Sequence, residues 1–171
     1  MSDPSGADEP RWFRDADQAE SVVQFFIANL GAAYISHGEL QGGRATSRDT
    51  WSVTLTAKIR REVASILEGD AGRSRDLAIV RHGGEIAALA MVSFIADAPT
   101  PYAVLDDLVV TTGRRGSGVG AGLLRWIEAE CQARGMRRLF LESGVANHRA
   151  HDFFERRGFS QTSIVMMKDL A

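Results

Sequence analysis

The sequence predicts a single α/β domain, a mixed, mostly antiparallel sheet of about six strands flanked by helices on both faces. Three observations carry that prediction. Two amphipathic stretches come first, at residues 16–30 and 50–67. A hairpin pattern follows at residues 76–95. From residue 103 the pattern runs strand, helix, strand, helix, strand. The length of 171 residues suits one domain, and 44% apolar with 25% charged residues is the balance of an ordinary globular protein.

Residues 1–10 (MSDPSGADEP) are acidic and polar and read as a flexible tail. Residues 11–14 (RWFR) read as a short first strand. In the first helix, Ala19, Val22, Val23, Phe26, Ile27 and Leu30 recur at helical spacing, and Gly31 is the stop. Residues 36–46 carry three glycines and read as a loop. The second helix places Leu55, Ile59, Val63, Ile66 and Leu67 on one face and ends at Gly69. Residues 76–81 and 85–95 are strands around a His82-Gly83-Gly84 turn. After Pro99 and Pro101 break the chain, residues 103–111 (AVLDDLVVT) form a third strand, rich in β-branched residues. Residues 119–134 are a helix with a stripe of Val119, Leu123, Leu124, Ile127 and Cys131, ended by Gly135. Residues 138–142 are a strand, 147–157 a short helix and 160–168 a last strand.

Composition excludes several functions. No apolar run reaches the ~18–20 residues that span a bilayer, so no membrane partner is expected. The N-terminus has neither a basic region nor an apolar core of the secretory kind. One cysteine cannot form an internal disulfide or a cysteine-based zinc site. A cytoplasmic location and no metal are the resulting expectations. The net charge is −2, split as −6 over residues 1–110 and +4 over residues 111–171. The basic third suits an anionic ligand, and it lacks the interleaved aromatics of a nucleic-acid platform.

The strongest local signal is Arg114-Arg115-Gly116-Ser117-Gly118-Val119-Gly120-Ala121-Gly122, between a strand and a helix. Glycines let a ligand approach the main chain, and amides at a helix N-terminus make an anion site suited to a pyrophosphate. Arg115 adds a forked donor. The loop lacks the Gly-Lys-Ser/Thr of a P-loop. A dinucleotide fold would use Glu142, 22 residues beyond Gly120, but would put the glycines after its first strand. Coenzyme A and a ligand-free glycine turn complete the alternatives.

A second segment bears on that choice. Arg115-x-x-Gly118-x-Gly120, followed after a strand by Asn147-x-x-Ala150-x-x-Phe153-Phe154-x-x-x-Gly158-Phe159, resembles the GCN5-related N-acetyltransferases, the GNAT family. The resemblance covers residues 76–168, and residues 11–75 match in outline as acceptor-side helices. It implies a GNAT-like sheet with splayed central strands and acetyl-CoA as co-substrate. Leu108, Val109 and Val110 would then line the pantetheine arm. Arg115, Gly116, Ser117, Gly118, Val119, Gly120 and Ala121 would wrap the pyrophosphate. Asn147 would contact the pantetheine, and Phe154 stands where many relatives have tyrosine. The implied activity is acetyl transfer to a primary amine of a small molecule or peptide, by direct attack in a ternary complex. The other reading of the same fold is a catalytically weak acyl-CoA-binding sensor or structural protein.

A primary amine with a pKa near ~10.4 arrives protonated, so the reaction needs a base. Asp106 is the first candidate and Glu142, on the neighbouring strand, its rival. Strand alternation puts Asp106 and Asp107 on opposite faces. Phe154 cannot donate a proton; His151, one turn away on the same helix face, is the substitute acid. Tyr34, His37, Glu39, Arg44 and Trp51 form the expected acceptor wall. Only 12 residues follow Phe159, room for one good strand, which leaves a sheet edge that favours a homodimer.

Overall fold

The computed structural model describes residues 9–70, 72 and 74–170. Most of the expected N-terminal tail, residues 1–8, lies outside the described residues. The chain folds as two compact units, residues 1–30 with 56–141 and residues 31–55 with 142–171.

The first unit holds a five-stranded sheet. Strand β1 (Arg11–Trp12) leads through a short turn of 3-10 helix, capped by Asp15, into helix α1 (Ala19–Asn29). Helix α3 (Leu55–Glu68) precedes strands β4 (Arg75–His82), β5 (Glu85–Ile95) and β6 (Tyr102–Val110). Helix α4 (Val119–Ala133) and strand β7 (Arg138–Leu141) follow. The strand order is β1-β4-β5-β6-β7, antiparallel throughout except for the β6–β7 pair. The sheet thus has five strands where about six are expected.

Pleat alternation decides what covers each face. Arg75 on one face meets Glu62 of α3, and Arg60 of α3 is paired with Glu20 of α1. The next residue, Asp76, faces the other way and meets Arg134 at the end of α4. Helices therefore cover both faces. On the α3 side the sheet presents large side chains, Leu77, Ile79, Leu89 and Met91, all fully buried with Val22, Val23, Phe26, Ile59 and Val63. On the α4 side it presents Ala78, Ala88 and Ala90, and this lets Leu123, Leu124 and Ile127 of α4 come close.

The second unit contains α2 (His37–Gln41), the hairpin β2 (Ala45–Ser47) with β3 (Thr50–Trp51), and α5 (His148–Glu155). Three expectations are corrected here. Residues 36–46 are not a plain loop: Ser36 and Glu39 form a capping box, in which each satisfies the other's backbone, and that starts α2. The second long helix begins at Leu55 rather than Thr50, because Thr50 and Trp51 pair with β2. Residues 160–168 form no strand. Their backbone has no partner strand among the described residues, and Ile164 and Met166 are exposed. Strand propensity without a hydrogen-bonding neighbour does not make a strand.

Two buried groups fix the α4 side. The Asp76 carboxylate, fully buried, accepts from Arg14 at 2.5 and 3.0 Å and from Arg134 at 2.9 Å. Arg134 also lies over the rings of Trp12 and Phe94. Cys131 is a core residue whose thiol is pushed up to about 11, chiefly by burial.

Asp76→Ala removes the shared acceptor of two arginines. It should cost about 3 kcal/mol, measured by urea unfolding, since removing one partner of a buried ion pair strands the other. The Cys131 thiol keeps its proton in the folded chain up to about 11, whereas the unfolded chain loses it near 9.0. Stability should therefore fall as pH rises across that window. Native Cys131 should alkylate with iodoacetamide at least about tenfold more slowly than the urea-unfolded chain at mildly alkaline pH.

Candidate functional site

The site in the first unit begins where β6 loses a neighbour. Strand β7 pairs with β6 only from Tyr102↔Arg138 to Leu105↔Leu141, and β6 runs on to Val110. Beyond Leu105, β6 has no strand partner on that side among the described residues. On the other side β6 stays paired with β5, and the Thr111 amide donates to Ala87 at 3.0 Å. Backbone direction alternates along a strand, so Val109 also faces β5. Leu108 and Val110 then turn their N–H and C=O toward the edge that β7 has left. Of the three residues expected to line a pantetheine arm, the main chain of these two is the part so placed, and Val109 is buried.

A β-bulge sits at the same place. Met91 pairs with Asp107 and Val92 with Leu105, which leaves Asp106 as the extra residue. The bulge corrects the expectation that Asp106 and Asp107 face opposite ways. Asp107 is opposite Met91, and the Asp106 carboxylate accepts from Ser93 Oγ at 2.5 Å, on the same face of β5. Asp106 also lies 3.7 Å from Arg75, which in turn meets Glu62. Its oxygens are thus engaged by β4 and β5. Asp107 is almost fully buried.

The glycine loop follows directly. Residues 112–114 make a 3-10 turn, Gly116 and Gly118 adopt φ of 89° and 91°, and Gly118 caps α4 from the left-handed region. Only glycine takes that conformation without strain, and it turns successive amides the same way. The amides of Arg115 and Ser117 are occupied by the carbonyls of Thr112 and Arg114, at 3.5 and 3.1 Å. Those of Gly116, Gly118, Val119, Gly120 and Ala121 have no carbonyl partner among the described residues; the first helical bond is Gly122 to Gly118 at 2.9 Å. The run expected to wrap a pyrophosphate therefore offers five amides rather than all seven. The Arg115 guanidinium is not a free fork: it donates to the Asn29 carbonyl at 2.9 Å and to the Val110 carbonyl at 3.4 Å. Asn29, which no motif marks, also accepts the Thr112 amide at 3.0 Å.

The second unit holds the remaining candidates. Glu142, next in the chain after β7, is exposed and lies 3.3 Å from His37 Nδ1. Asn147 caps α5, its side chain accepting from the Ala150 amide at 3.3 Å. His151 stands edge-on to His148. Phe154 packs against Phe153 and Phe159 with ring centres 5.1 and 5.4 Å apart. Glu39 and Arg44, expected in an acceptor wall, are buried, 3.7 Å apart, and Glu39 also holds Ser36 at the start of α2. Tyr34 lies beside Trp51, whose indole N–H is buried without a partner. Among the described residues no three His, Cys, Asp or Glu side chains gather in a way that would hold a metal ion.

The sequence model of the acetyltransferase (GNAT) family matches residues 45–159. Streptothricin acetyltransferase of Streptomyces lavendulae is 32% identical over 93 residues, 54% of this chain and 48% of that protein. The chain thus spans about half the length of the curated relative it matches. Among solved structures, the aminoglycoside N-acetyltransferase AAC(6')-Iy in complex with CoA superposes with a TM-score of 0.69 at 16% identity, covering 99% of both chains. A tetramutant of the BH1408 protein from Bacillus halodurans gives 0.70 at 19% identity, covering 95% of this chain and 100% of that one.

A Cβ at Gly118 would meet open space, so alanine there is penalised by backbone strain alone. Gly118→Ala should lower stability by about 1 kcal/mol in urea unfolding. Gly118→Asp should in addition set a negative charge among the open amides and weaken binding of inorganic pyrophosphate, or of any other anion seated there, in calorimetry.

Proposed function

The chain belongs to the GNAT acetyltransferase family, and from that premise we propose that it moves an acetyl group from acetyl-CoA to a primary amine of a small molecule, by direct attack in a ternary complex. One observation carries the reading. Among the described residues Leu108 and the Val110 amide have no strand partner on the β7 side, and this edge leads directly into a run of open amides at the start of α4. An acyl-CoA matches that order, with an amide-bearing arm that pairs like a strand and a pyrophosphate that takes amide donors. The bound co-substrate supplies an acyl thioester. The chain's own residues do the rest.

The Leu108 amide, on the open edge, serves as donor to the carbonyl oxygen under attack. For the proton acceptor we assign Glu142 ahead of Asp106. Glu142 is exposed and held by His37, whereas the Asp106 carboxylate is already bonded to Ser93 and close to Arg75. Asn147 keeps the pantetheine role that its motif implies, and His151 is the replacement acid for the tyrosine that Phe154 displaces. The names of the relatives, streptothricin and aminoglycoside acetyltransferases, support a polyamino small molecule as acceptor. Tyr34 and Trp51 would supply aromatic faces for such a cation.

Phe154 also supports the second reading, a chain of this fold that binds acyl-CoA and turns it over poorly. A mass-spectrometric screen of an amine panel separates the two: acetylated product is expected, and CoA binding with no product from any amine would leave the binder. Acetyl-CoA should raise the thermal midpoint and NAD should not. Glu142→Gln should lower kcat about 100-fold at neutral pH, with Asp106→Asn costing less than about fivefold. The reverse order would return the base role to Asp106.

A further inference from the structure

We propose that Asn29, the last residue of α1, is a positioning residue that sets the pyrophosphate loop against the open edge of β6; this rests on the acyl-CoA reading above. The inference comes from three hydrogen bonds at one residue. Asn29 Nδ2 donates to the Phe25 carbonyl, one turn back in α1, at 2.8 Å. That bond fixes the amide plane, and Oδ1 then accepts the Thr112 amide at 3.0 Å. The Asn29 main-chain carbonyl accepts Arg115 Nη2 at 2.9 Å.

The two partners bracket the turn at residues 112–114. Thr112 stands where β6 gives way to the loop, and Arg115 stands immediately before the first open amide, Gly116. Arg115 also reaches back to the Val110 carbonyl. One residue therefore fixes both ends of the only segment that separates the strand edge from the amide run. A ligand that binds both at once needs that separation held to a fraction of an ångström. The guanidinium also lies at the carboxyl end of α1, where the helix dipole favours a cation. This arrangement holds Arg115 in place by helix α1 whether or not an anion is bound.

The test compares two acyl donors. Acetyl-CoA needs the loop, whereas the acetyl thioester of N-acetylcysteamine carries no pyrophosphate. Asn29→Ala should raise KM for acetyl-CoA about tenfold, leave kcat within about twofold, and leave kcat/KM for the truncated donor unchanged. Thr112→Pro deletes the same hydrogen bond from the donor side. Proline is tolerated at the first position of the turn, and Thr111 already has the extended φ of −54° and ψ of 138° that a following proline demands. It should reproduce the effect, and the double variant should be no worse than either single one. Unchanged KM for acetyl-CoA in both variants, or equal losses with both donors, would overturn the role of Asn29 and leave the acetyl-CoA reading standing. A wild-type chain that fails to bind CoA in calorimetry would sink that reading and this inference with it.

Discussion

The structure turns on where β6 loses its parallel neighbour. A strand inside a sheet has its polar backbone groups matched on both sides, and leaving them unmatched away from water is costly. Here the match with β7 stops at Leu105, and β6 continues to Val110. The bulge at Asp106 falls at the same point. An extra residue bends a strand and increases its twist, and here the bulge on the β5 side coincides with the end of pairing on the β7 side. In the proposed function this edge, at Leu108 and the Val110 amide, is where the extended arm of the co-substrate pairs.

The anion binding proposed for this loop rests on the main chain more than on charged side chains. The Arg115 guanidinium is tied to Asn29 and Val110 and acts first as a brace. The five open amides and the start of a 15-residue helix supply the field. Helix-end dipoles act within about a turn, so their effect depends on the amides being held at fixed positions. That requirement links chemistry to packing. The small residues of the sheet, Ala78, Ala88 and Ala90, let α4 lie close, and its Leu123, Leu124 and Ile127 are fully buried.

What could be read from the sequence was what local pattern dictates. The β4–β5 hairpin, α1, α4 and the glycine loop all follow from periodicity and from glycines at turns. The segment from residue 36 to residue 54 was misread because its elements are too short to show a period. Helix α2 has five residues and owes its start to the Ser36–Glu39 reciprocal cap. Residues 160–168 have the apolar content of a strand, but content does not supply a partner. Asp106 and Asp107 were assigned to opposite faces by strict alternation, and nothing in AVLDDLVVT marks the bulge that breaks it. Asn29 was invisible for another reason. Its partner Thr112 lies 83 residues away, so no window along the chain contains both. Ser36 followed three residues later by Glu39 is the capping-box pattern, the one signal in the sequence that marks the start of α2.

The exchange of tyrosine for Phe154 bears on how the two proton transfers of the proposed reaction are shared. An acceptor amine with a pKa near ~10.4 must give up its proton at neutral pH against about 4–5 kcal/mol. A departing thiolate with a pKa near ~8.5 takes one from water with about 2 kcal/mol in its favour. Of the two steps, the first is the one that needs a protein group. In the proposed reaction the exposed carboxylate of Glu142, beside His37, serves the first step, while Phe153, Phe154 and Phe159 pack together and leave His151 as the acid candidate on α5. A phenyl ring at position 154 gives up a proton donor for a step that solvent can complete, and it gains apolar packing on α5 in exchange. The loss of the tyrosine hydroxyl is therefore compatible with turnover, provided the base is kept.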